Sequence, residues 1–507
     1  MKTDYDILRV SNTGLLIATG DLMGLARRSL QSSTYTVVSS GIQTAILFGR
    51  SILLARLLAP QVFGEYTFAF SLVIISSPLP IFGMPSALIH RAKESEGELA
   101  FRVQFSLSLI FNILWVLLVG LIGSVFVQPG SRWLIWVIAI SRGVNNLTLT
   151  GSSLLVKKVK LRRTAFLELT TVIVSTAIAI FLAWKTRSVI SLVSTDVTLS
   201  AVLFFGYYVI KPVWRIRLGW ARNVAKYLLG FGKFEMASAL INNSIDNVDD
   251  LWVGNYLGST LLGFYSRAYN FANYPRRVLA LPLNQVSIGT YAELKYDTHK
   301  LSQAFFRVNA FLIRIGFGAA GAFALVAYEF IIIFLGAKWL PMLPAFRWML
   351  LYTLFDPVKV TIANIFIAIG QPRIVTTTRI WQIIIMVPCL YLLGSRWGIV
   401  GIAIAVNAAL MVGISYLLYR ARSVVKFSMK KLFLIPSLAI TVSLIVGILV
   451  GEFLDPQMAP ILSGVIKLLV FGGLYFSILF IFEKDNLRMS IEMIKTLFPT
   501  TGSNRQG

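Results

Sequence analysis

The sequence has one cysteine, Cys389, and two histidines, His90 and His299. A single cysteine excludes a disulfide framework, and so few cysteines and histidines argue against a zinc site. Acidic residues are also scarce, with 22 Asp and Glu against 47 Lys and Arg. Any acidic chemistry would therefore depend on a few scattered carboxylates, and we predict no cofactor and no metal.

Several functional motifs are missing as well. An ATP-driven pump needs a phosphate-binding G-x-x-x-x-G-K-[ST] loop, and the nearest segment, Gly230 to Lys233, is too short and continues as Phe-Glu. Every loop is short, which argues against a glycosyltransferase with a large soluble or periplasmic domain. The sequence shows no repeated filter loop of a channel. Residues 1–21 lack the apolar core and cleavage site of a signal peptide, so we expect none.

Apolar residues are abundant instead. They make up 56% of the 507 residues and give a mean hydropathy of +0.75, well above the usual soluble composition. The formal net charge of +25 is spread over clusters between apolar runs, which argues against a nucleic-acid-binding face. The composition predicts an all-α integral membrane protein.

Segments of about 20 apolar residues, the length that crosses a bilayer, follow one another almost to the end of the chain. They predict about fourteen transmembrane helices, near 34–57, 64–89, 101–127, 132–155, 164–184, 189–210, 228–256, 260–290, 305–335, 340–368, 373–394, 397–419, 430–451 and 460–482.

Basic residues distinguish the two sides of the membrane. One set of loops is rich in lysine and arginine, at 27–28, 91–93, 157–163, 211–222, 295–300, 373, 420–431 and 484–488. The alternating set holds only Arg132, Lys185, Arg187, Lys338 and Arg396. By the positive-inside rule both termini are cytoplasmic, in agreement with an even number of spans.

A short repeat indicates two related halves. Leu58, Gly64 and Tyr66 recur with identical spacing as Leu257, Gly263 and Tyr265. We predict a six-helix bundle over 1–210, a second over 211–424, and two additional helices with a tail over 425–507. In duplicated transporters the site lies between the repeats.

Prolines interrupt corresponding spans of the two halves. Pro78, Pro80 and Pro85, with Gly83, fall in the second span, and Pro275 and Pro282 fall in the eighth. Internal prolines remove backbone hydrogen bonds and bend or break a helix. Such kinks are common in membrane helices, but their matched placement favours a hinge or cavity role.

The chain resembles the Wzx-type polysaccharide flippases of the multidrug/oligosaccharidyl-lipid/polysaccharide exporter superfamily. The segments that carry the resemblance are LLARLLAPQVFGEYTFAFSL (53–72), VKLRRTAFLEL (159–169), LLGFGKFEMASALINNSIDNVDDLWVGNYLGSTLLGFYSRAY (228–269), FLGAKWLPMLPAFRWM (334–349) and IANIFIAIGQPRIVTTTRIWQ (362–382). The resemblance implies two pseudo-symmetric six-helix bundles in a V. It also implies that the protein carries an undecaprenyl-diphosphate-linked oligosaccharide to the outer leaflet of the bacterial inner membrane, without enzymatic chemistry.

The resemblance also implies cavity arginines in the first and eighth helices, where Arg50 and Arg267 interrupt apolar segments. An arginine fork matches phosphate oxygens, so both are candidates for binding the diphosphate. Snorkelling of the side chain to the membrane surface is the alternative. Further candidates are Arg276 and Arg277, which could instead lie at the cytoplasmic surface, and Arg142 and Arg314, one of which could instead pair with an acid.

Three aspartates are candidates for ion or proton coupling: Asp196 in the sixth span, and Asp246 and Asp249 in the seventh. Burial raises the pKa of a carboxylate and a neighbouring arginine lowers it, so the two together could switch its protonation state. The alternative is structural pairing or a solvated helix end. Asp250, four residues after Asp246, fits that alternative better.

Two other functions remain open at this stage. A cation-coupled multidrug antiporter of the same superfamily would favour an acidic, aromatic cavity, with Arg50 and Arg267 facing outward. A membrane polymerase or ligase would need a large periplasmic loop.

Expected partners are the lipid-linked oligosaccharide, membrane lipids, and polysaccharide polymerase and chain-length proteins, with no nucleic acid. The sequence does not specify the glycan.

Overall fold

The computed structural model describes residues 39–90, 97–157, 161–454 and 458–497. Within these ranges the regular structure is helical throughout. The helices of the predicted first half are α1 (39–57), α2 (Pro60–Ser76), α3 (Pro78–Ile81), α4 (Met84–His90), α5 (Gly97–Gly123), α6 (Arg132–Lys157), α7 (Leu161–Thr186) and α8 (Ile190–Phe205), which continues into a π-helical turn (Gly206–Ile210).

The remaining helices lie in the predicted second half and in the C-terminal region. They are α9 (Arg222–Tyr256), α10 (Ser259–Ala272), α11 (Tyr274–Leu294), α12 (Thr298–Leu325), α13 (Ala327–Phe330), α14 (Leu343–Ala368), α15 (Pro372–Ala421), α16 (Met429–Leu454) and α17 (Pro460–Leu497). A π-helical turn (Ile331–Leu335) and a 3₁₀ turn (Ala337–Met342) connect α13 to α14.

The helix α15 is a hairpin of two antiparallel helices. Gly398 has φ of 56°, in the left-handed region that favours glycine, and reverses the chain. Gln382 Nε2 then donates to the carbonyl of Ala409 at 3.4 Å across the hairpin. A second interruption, at Glu483, bends α17 near its end.

Nine helices of the described ranges are long and apolar enough to cross a membrane. The protein is therefore a multi-pass integral membrane protein, as predicted. This count of nine treats α15 as one helix, although it contains two. It does not include α6 and α9, which carry charged residues. The predicted fourteen spans, and the division at 210 and 424, stay predictions.

The proline-rich second span is broken, as the sequence predicts. It consists of α2, α3 and α4, and Phe82 and Gly83 between α3 and α4 have φ of 49° and 59°. At this break the chain crosses α9 so closely that a Cβ on Gly232 would lie 1.8 Å from the carbonyl oxygen of Phe82. Similarly, the break between α10 and α11 comes just before Pro275. Pro282 lies inside α11, which continues to Leu294.

The two repeat segments pack against each other reciprocally. A Cβ on Gly64 of α2 would lie 1.7 Å from the carbonyl oxygen of Ser259, and one on Gly263 of α10 would lie 1.9 Å from that of Pro60. In the repeat, Pro60 corresponds to Ser259 and Gly64 to Gly263, so the contact has the self-complementarity of a two-fold interface. This contact joins the predicted halves at the end of the molecule that carries residues 58–59 and 257–258.

The last two helices are attached to α12 by buried charges. Arg314 of α12 is 0% exposed and pairs with Glu483 of α17 at 2.6 Å. Tyr475 of α17 donates its hydroxyl to the Arg314 carbonyl at 2.7 Å. Lys467 of the same helix pairs with Glu329 of α13 at 2.6 Å. These contacts attach α17 to α12 and α13.

The helix α12 begins at Thr298, ahead of the predicted span at 305. Asp297 caps it, because its carboxylate accepts the backbone N–H of Lys300 at 3.0 Å. This hydrogen bond lowers the pKa of Asp297. The capped first turns are polar and extend the helix beyond its apolar part.

The substitution Gly263→Ala tests the reciprocal contact. The added Cβ has no room against Pro60, so we expect the free energy of unfolding in detergent to fall by about 1–3 kcal/mol. The control Gly230→Ala, on α9, has nothing within 4 Å of its new Cβ and should be neutral or stabilising. Equal effects of the two substitutions on unfolding would contradict the contact.

The substitution Arg314→Met tests the buried ion pair. It leaves Glu483 buried without its partner, and we expect a loss of about 3–5 kcal/mol in the free energy of unfolding. The double variant with Glu483→Met should recover most of that loss, because no unpaired charge remains. Unchanged stability with lost substrate binding would instead support the substrate role predicted for Arg314.

Candidate functional site

The two arginines predicted to bind diphosphate lie close together. Arg50 of α1 and Arg267 of α10 interact electrostatically with each other, and both interact with Tyr66 and Tyr274. The guanidinium of Arg267 also lies over the ring of Phe63, 4.5 Å from its centroid. The structure therefore brings two cations and two hydroxyls together where helices of both predicted halves meet.

Tyr274 fixes the position of α1 beside Arg50. Its hydroxyl donates to the carbonyl of Leu47 at 3.0 Å and lies 2.9 Å from Ser51 Oγ. The rings of Phe48 and Tyr274 pack edge to face, with centroids 4.6 Å apart. Because these contacts lie within one turn of Arg50, they restrain the backbone that presents its guanidinium.

Asp196 and Arg142 form part of the same region. The hydroxyl of Tyr66 donates to Asp196 Oδ2 at 2.6 Å, and Arg142 Nη2 lies 3.7 Å from Asp196 Oδ1. The Arg142 guanidinium also lies over the ring of Phe70, at 4.8 Å. Asp196 partly neutralises Arg142 and also interacts electrostatically with Arg50, as Asp250 does with Arg267. Within this region of the described structure, neither Arg50 nor Arg267 has a carboxylate within 4 Å.

A matching tyrosine–aspartate pair occurs in the second repeat. Tyr265, the counterpart of Tyr66, donates to Asp249 Oδ2 at 2.5 Å, and Ser71 donates to Asp250 Oδ2 at 3.1 Å. Asp250 thus bonds across to α2, which agrees with the structural role favoured for it. A coupling role for Asp196, Asp246 and Asp249 stays a prediction.

A second charged cluster surrounds Asp356 of α14, which is 1% exposed. Arg276 Nε lies 2.9 Å from Asp356 Oδ2, and Lys359 Nζ lies 2.6 Å from Asp356 Oδ1. Asp246 interacts electrostatically with Arg276, Lys359 and Arg379. Arg276 is therefore in an ion pair with an acid, which the sequence analysis did not predict, and its substrate role stays a prediction.

This cluster borders a polar cavity of about 230 Å³ between α9, α14 and α15. Its polar lining residues are Ser238, Asn242, Lys359, Asn364, Thr376, Thr378, Arg379 and Gln382. Sequence reasoning missed Asp356, Lys359 and Arg379. Each is a charge inside an apolar segment, the same signal that identified Arg50, and such residues face protein or water rather than lipid.

Arg277 borders the Arg50–Arg267 region, whereas Arg314 lies apart from it. Arg277 is exposed and stacks over Tyr274, 5.4 Å from the ring centroid. All three nitrogens of the Arg314 guanidinium donate within the protein, to Glu483, the Ala310 carbonyl and the Lys431 carbonyl. A substrate role for these two arginines stays a prediction.

Proteins of solved structure share the fold. The lipid II flippase MurJ, in an inward closed conformation, superposes with a TM-score of 0.69 over 91% of this chain and 99% of that chain, at 15% identity. An inward-facing multidrug resistance MATE family transporter of the MOP superfamily gives a TM-score of 0.57, covers 77% of this chain and 98% of its own, and is 14% identical. The chain thus shares the fold of these two proteins.

Relatives by sequence have names from polysaccharide biosynthesis. Lipopolysaccharide biosynthesis protein WzxC of Escherichia coli (strain K12) is 22% identical over 386 residues, 75% of this chain and 78% of WzxC. Teichuronic acid biosynthesis protein TuaB of Bacillus subtilis (strain 168) is 25% identical over 171 residues, 33% of this chain and 34% of TuaB. Succinoglycan biosynthesis transport protein ExoT of Rhizobium meliloti (strain 1021) is 26% identical over 261 residues, 50% of this chain and 51% of ExoT.

The family match confirms the resemblance predicted from the sequence. Residues 53–344, more than half of the chain, match the family described as polysaccharide biosynthesis protein. The matched region runs from α1 into α14 and includes Arg142, Asp196 and Arg267. The chain belongs to the polysaccharide biosynthesis protein family.

Proposed function

We propose that the protein is a flippase that moves an undecaprenyl-diphosphate-linked oligosaccharide from the cytoplasmic to the outer leaflet of the bacterial inner membrane. The observation that carries the proposal is the proximity of Arg50 and Arg267, with Tyr66 and Tyr274, where the two predicted halves meet. A diphosphate brings about two negative charges that cannot cross hydrocarbon unaided. Two guanidinium groups with forked donors replace the water that it loses.

Family membership and the names of relatives support the same substrate class. WzxC, TuaB and ExoT are all named for polysaccharide biosynthesis or its transport, and MurJ, which shares the fold, is named as a flippase for a lipid. The multidrug antiporter is the weaker alternative. It would favour Arg50 and Arg267 facing outward, whereas both lie among helices of the two halves.

The mechanism proposed is alternating access between two six-helix bundles in a V, within fourteen spans with both termini cytoplasmic. Helices of the halves touch at Gly64 and Ser259 near one end and at Phe82 and Gly232 near the other. Opening a path to one side requires only one of these contacts to separate. The oligosaccharide and diphosphate would occupy the space between the bundles, while the lipid tail stays in the membrane.

Arginine substitutions test the diphosphate site in proteoliposomes. Arg50→Gln and Arg267→Gln should each slow the flipping of an undecaprenyl-diphosphate-linked oligosaccharide about tenfold or more, since each removes charge-assisted hydrogen bonds to phosphate. The measurement is chemical quenching of labelled lipid in the outer leaflet. Arg347→Gln, an exposed arginine on α14, is the control and should retain the original rate. Unchanged rates in both site variants would contradict the proposal.

The membrane potential is the expected driving force. An anion leaving a negative interior gains about 2.3 kcal/mol per charge per 100 mV, which is about 4.6 kcal/mol for a dianion. Dissipating the potential with valinomycin and potassium should therefore reduce net outward movement in oriented proteoliposomes. Unchanged outward movement would eliminate this driving force. Dependence on a pH gradient that Asp196→Asn abolishes would favour proton coupling instead.

A further inference from the structure

A cavity of about 790 Å³ opens beside the first three turns of α12, away from the arginine pair. One wall is a single face of α12, formed by Thr298, His299, Ser302, Gln303, Phe306 and Arg307. The other wall is the connection into α16, formed by Lys426, Phe427, Ser428 and Lys431. The volume falls within the range of about 300–1,000 Å³ typical of small-ligand sites.

Specific contacts hold the two walls together. The backbone N–H of Lys426 donates to Ser302 Oγ at 2.9 Å, and the ring of Phe427 packs against Phe305 with centroids 5.1 Å apart. Behind the cavity, Arg314 Nη2 donates to the Lys431 carbonyl at 3.2 Å. The cavity is therefore preformed, and its position depends on the same arginine that anchors α17.

The lining has a strong positive charge. Arg307, Lys426 and Lys431 contribute three cations, and none of the ten lining residues is acidic. Among the residues that the structure describes, these three cations form no ion pair with a carboxylate. The carboxylate of Asp297, just before α12, is engaged with Lys300 at 3.3 Å. The cavity thus offers unneutralised cations and hydroxyls, which suit an anionic oxygen-rich group.

The length of α12 places this cavity at the depth of lipid headgroups. Its 28 residues extend about 42 Å, whereas the hydrocarbon core is about 30 Å thick. The far end of the helix, toward Leu325, is apolar, so the excess length belongs to the polar end at Thr298. Arg307, nine residues from that end, lies about 13 Å along the helix. An exposed arginine at that depth is stable when it meets an anionic partner at the membrane interface.

We propose that this cavity binds the phosphodiester headgroup of an anionic phospholipid. Arg307, Lys426 and Lys431 contact the phosphate, the hydroxyl of Ser428 contacts the glycerol portion, and Phe306 and Phe427 contact the start of the acyl chains. Binding here joins α12 to the start of α16. The lipid is thus a structural ligand of the two additional helices and is distinct from the transported substrate.

Native mass spectrometry of the full chain in detergent tests the proposal with added phosphatidylglycerol. The pocket variant Arg307→Gln with Lys426→Gln should bind phosphatidylglycerol about tenfold more weakly than the unmodified protein, since it loses two charge-assisted contacts. The control variant Arg422→Gln with Lys430→Gln removes the same charge from exposed residues of the same region that do not line the cavity. It should bind phosphatidylglycerol normally, and phosphatidylcholine should bind weakly to all three proteins.

Several results would overturn the proposal. Equal losses in the pocket and control variants would indicate a diffuse basic surface, and equal binding of phosphatidylcholine would exclude recognition of charge. Pocket-dependent binding of undecaprenyl diphosphate without phosphatidylglycerol would identify a site for the carrier lipid. Displacement of the lipid by inorganic phosphate would identify a site for the free ion.

If the double variant folds poorly, the single variant Lys431→Gln provides a second test. It keeps the hydrogen bond between Arg314 and the backbone carbonyl of residue 431. It should also weaken phosphatidylglycerol binding, and unchanged binding would count against the site. These measurements do not depend on flipping. Loss of transport activity in Arg50→Gln therefore leaves this proposal unaffected.

Discussion

The cost of placing a charge in hydrocarbon governs the arrangement of this protein. A charged side chain at membrane depth is unstable unless it meets a partner or water, so each buried ion imposes a contact between helices. Asp356 receives Arg276 and Lys359, Asp196 receives Arg142, and Glu483 receives Arg314. The charges at membrane depth therefore determine which helices must be neighbours, and apolar packing fills the space between them.

The distribution of these partners distinguishes the cations that join helices from the cations proposed to bind substrate. Arg314 and Lys467 have carboxylate partners and serve to attach α17. Arg50 and Arg267 instead lie near two tyrosine hydroxyls and an aromatic ring, and Asp196 and Asp250 interact with them electrostatically without a contact within 4 Å. The proposal that this pair binds a diphosphate rests on that absence of a direct carboxylate contact among the described residues.

Close backbone contacts explain how such a site could open to alternate sides. Glycines at 64, 232 and 263 remove the side chains that would keep the helices apart, so that carbonyl oxygens of the facing helices approach within the space of a Cβ. The broken span from α2 to α4 carries one of them, so the proline-rich sequence determines where α3 and α4 meet α9.

The sequence by itself determined the membrane class and the repeat and identified Arg50 and Arg267 as candidates, because apolar length, charge inside apolar runs and residue spacing are local properties. It predicted the breaks at Gly83 and before Pro275 for the same reason. Only the tertiary structure decided the partners. The sequence showed Arg314 and Arg50 as similar cations in apolar helices, yet Glu483, 169 residues away, pairs with the first, whereas in the described part of the chain no carboxylate lies within 4 Å of the second. Packing also created the charged cluster of Asp356, Lys359 and Arg379, which the sequence alone did not reveal. A charge's role depends on what lies within a few ångströms of it, and in a helical membrane protein those neighbours come from helices far apart in the chain.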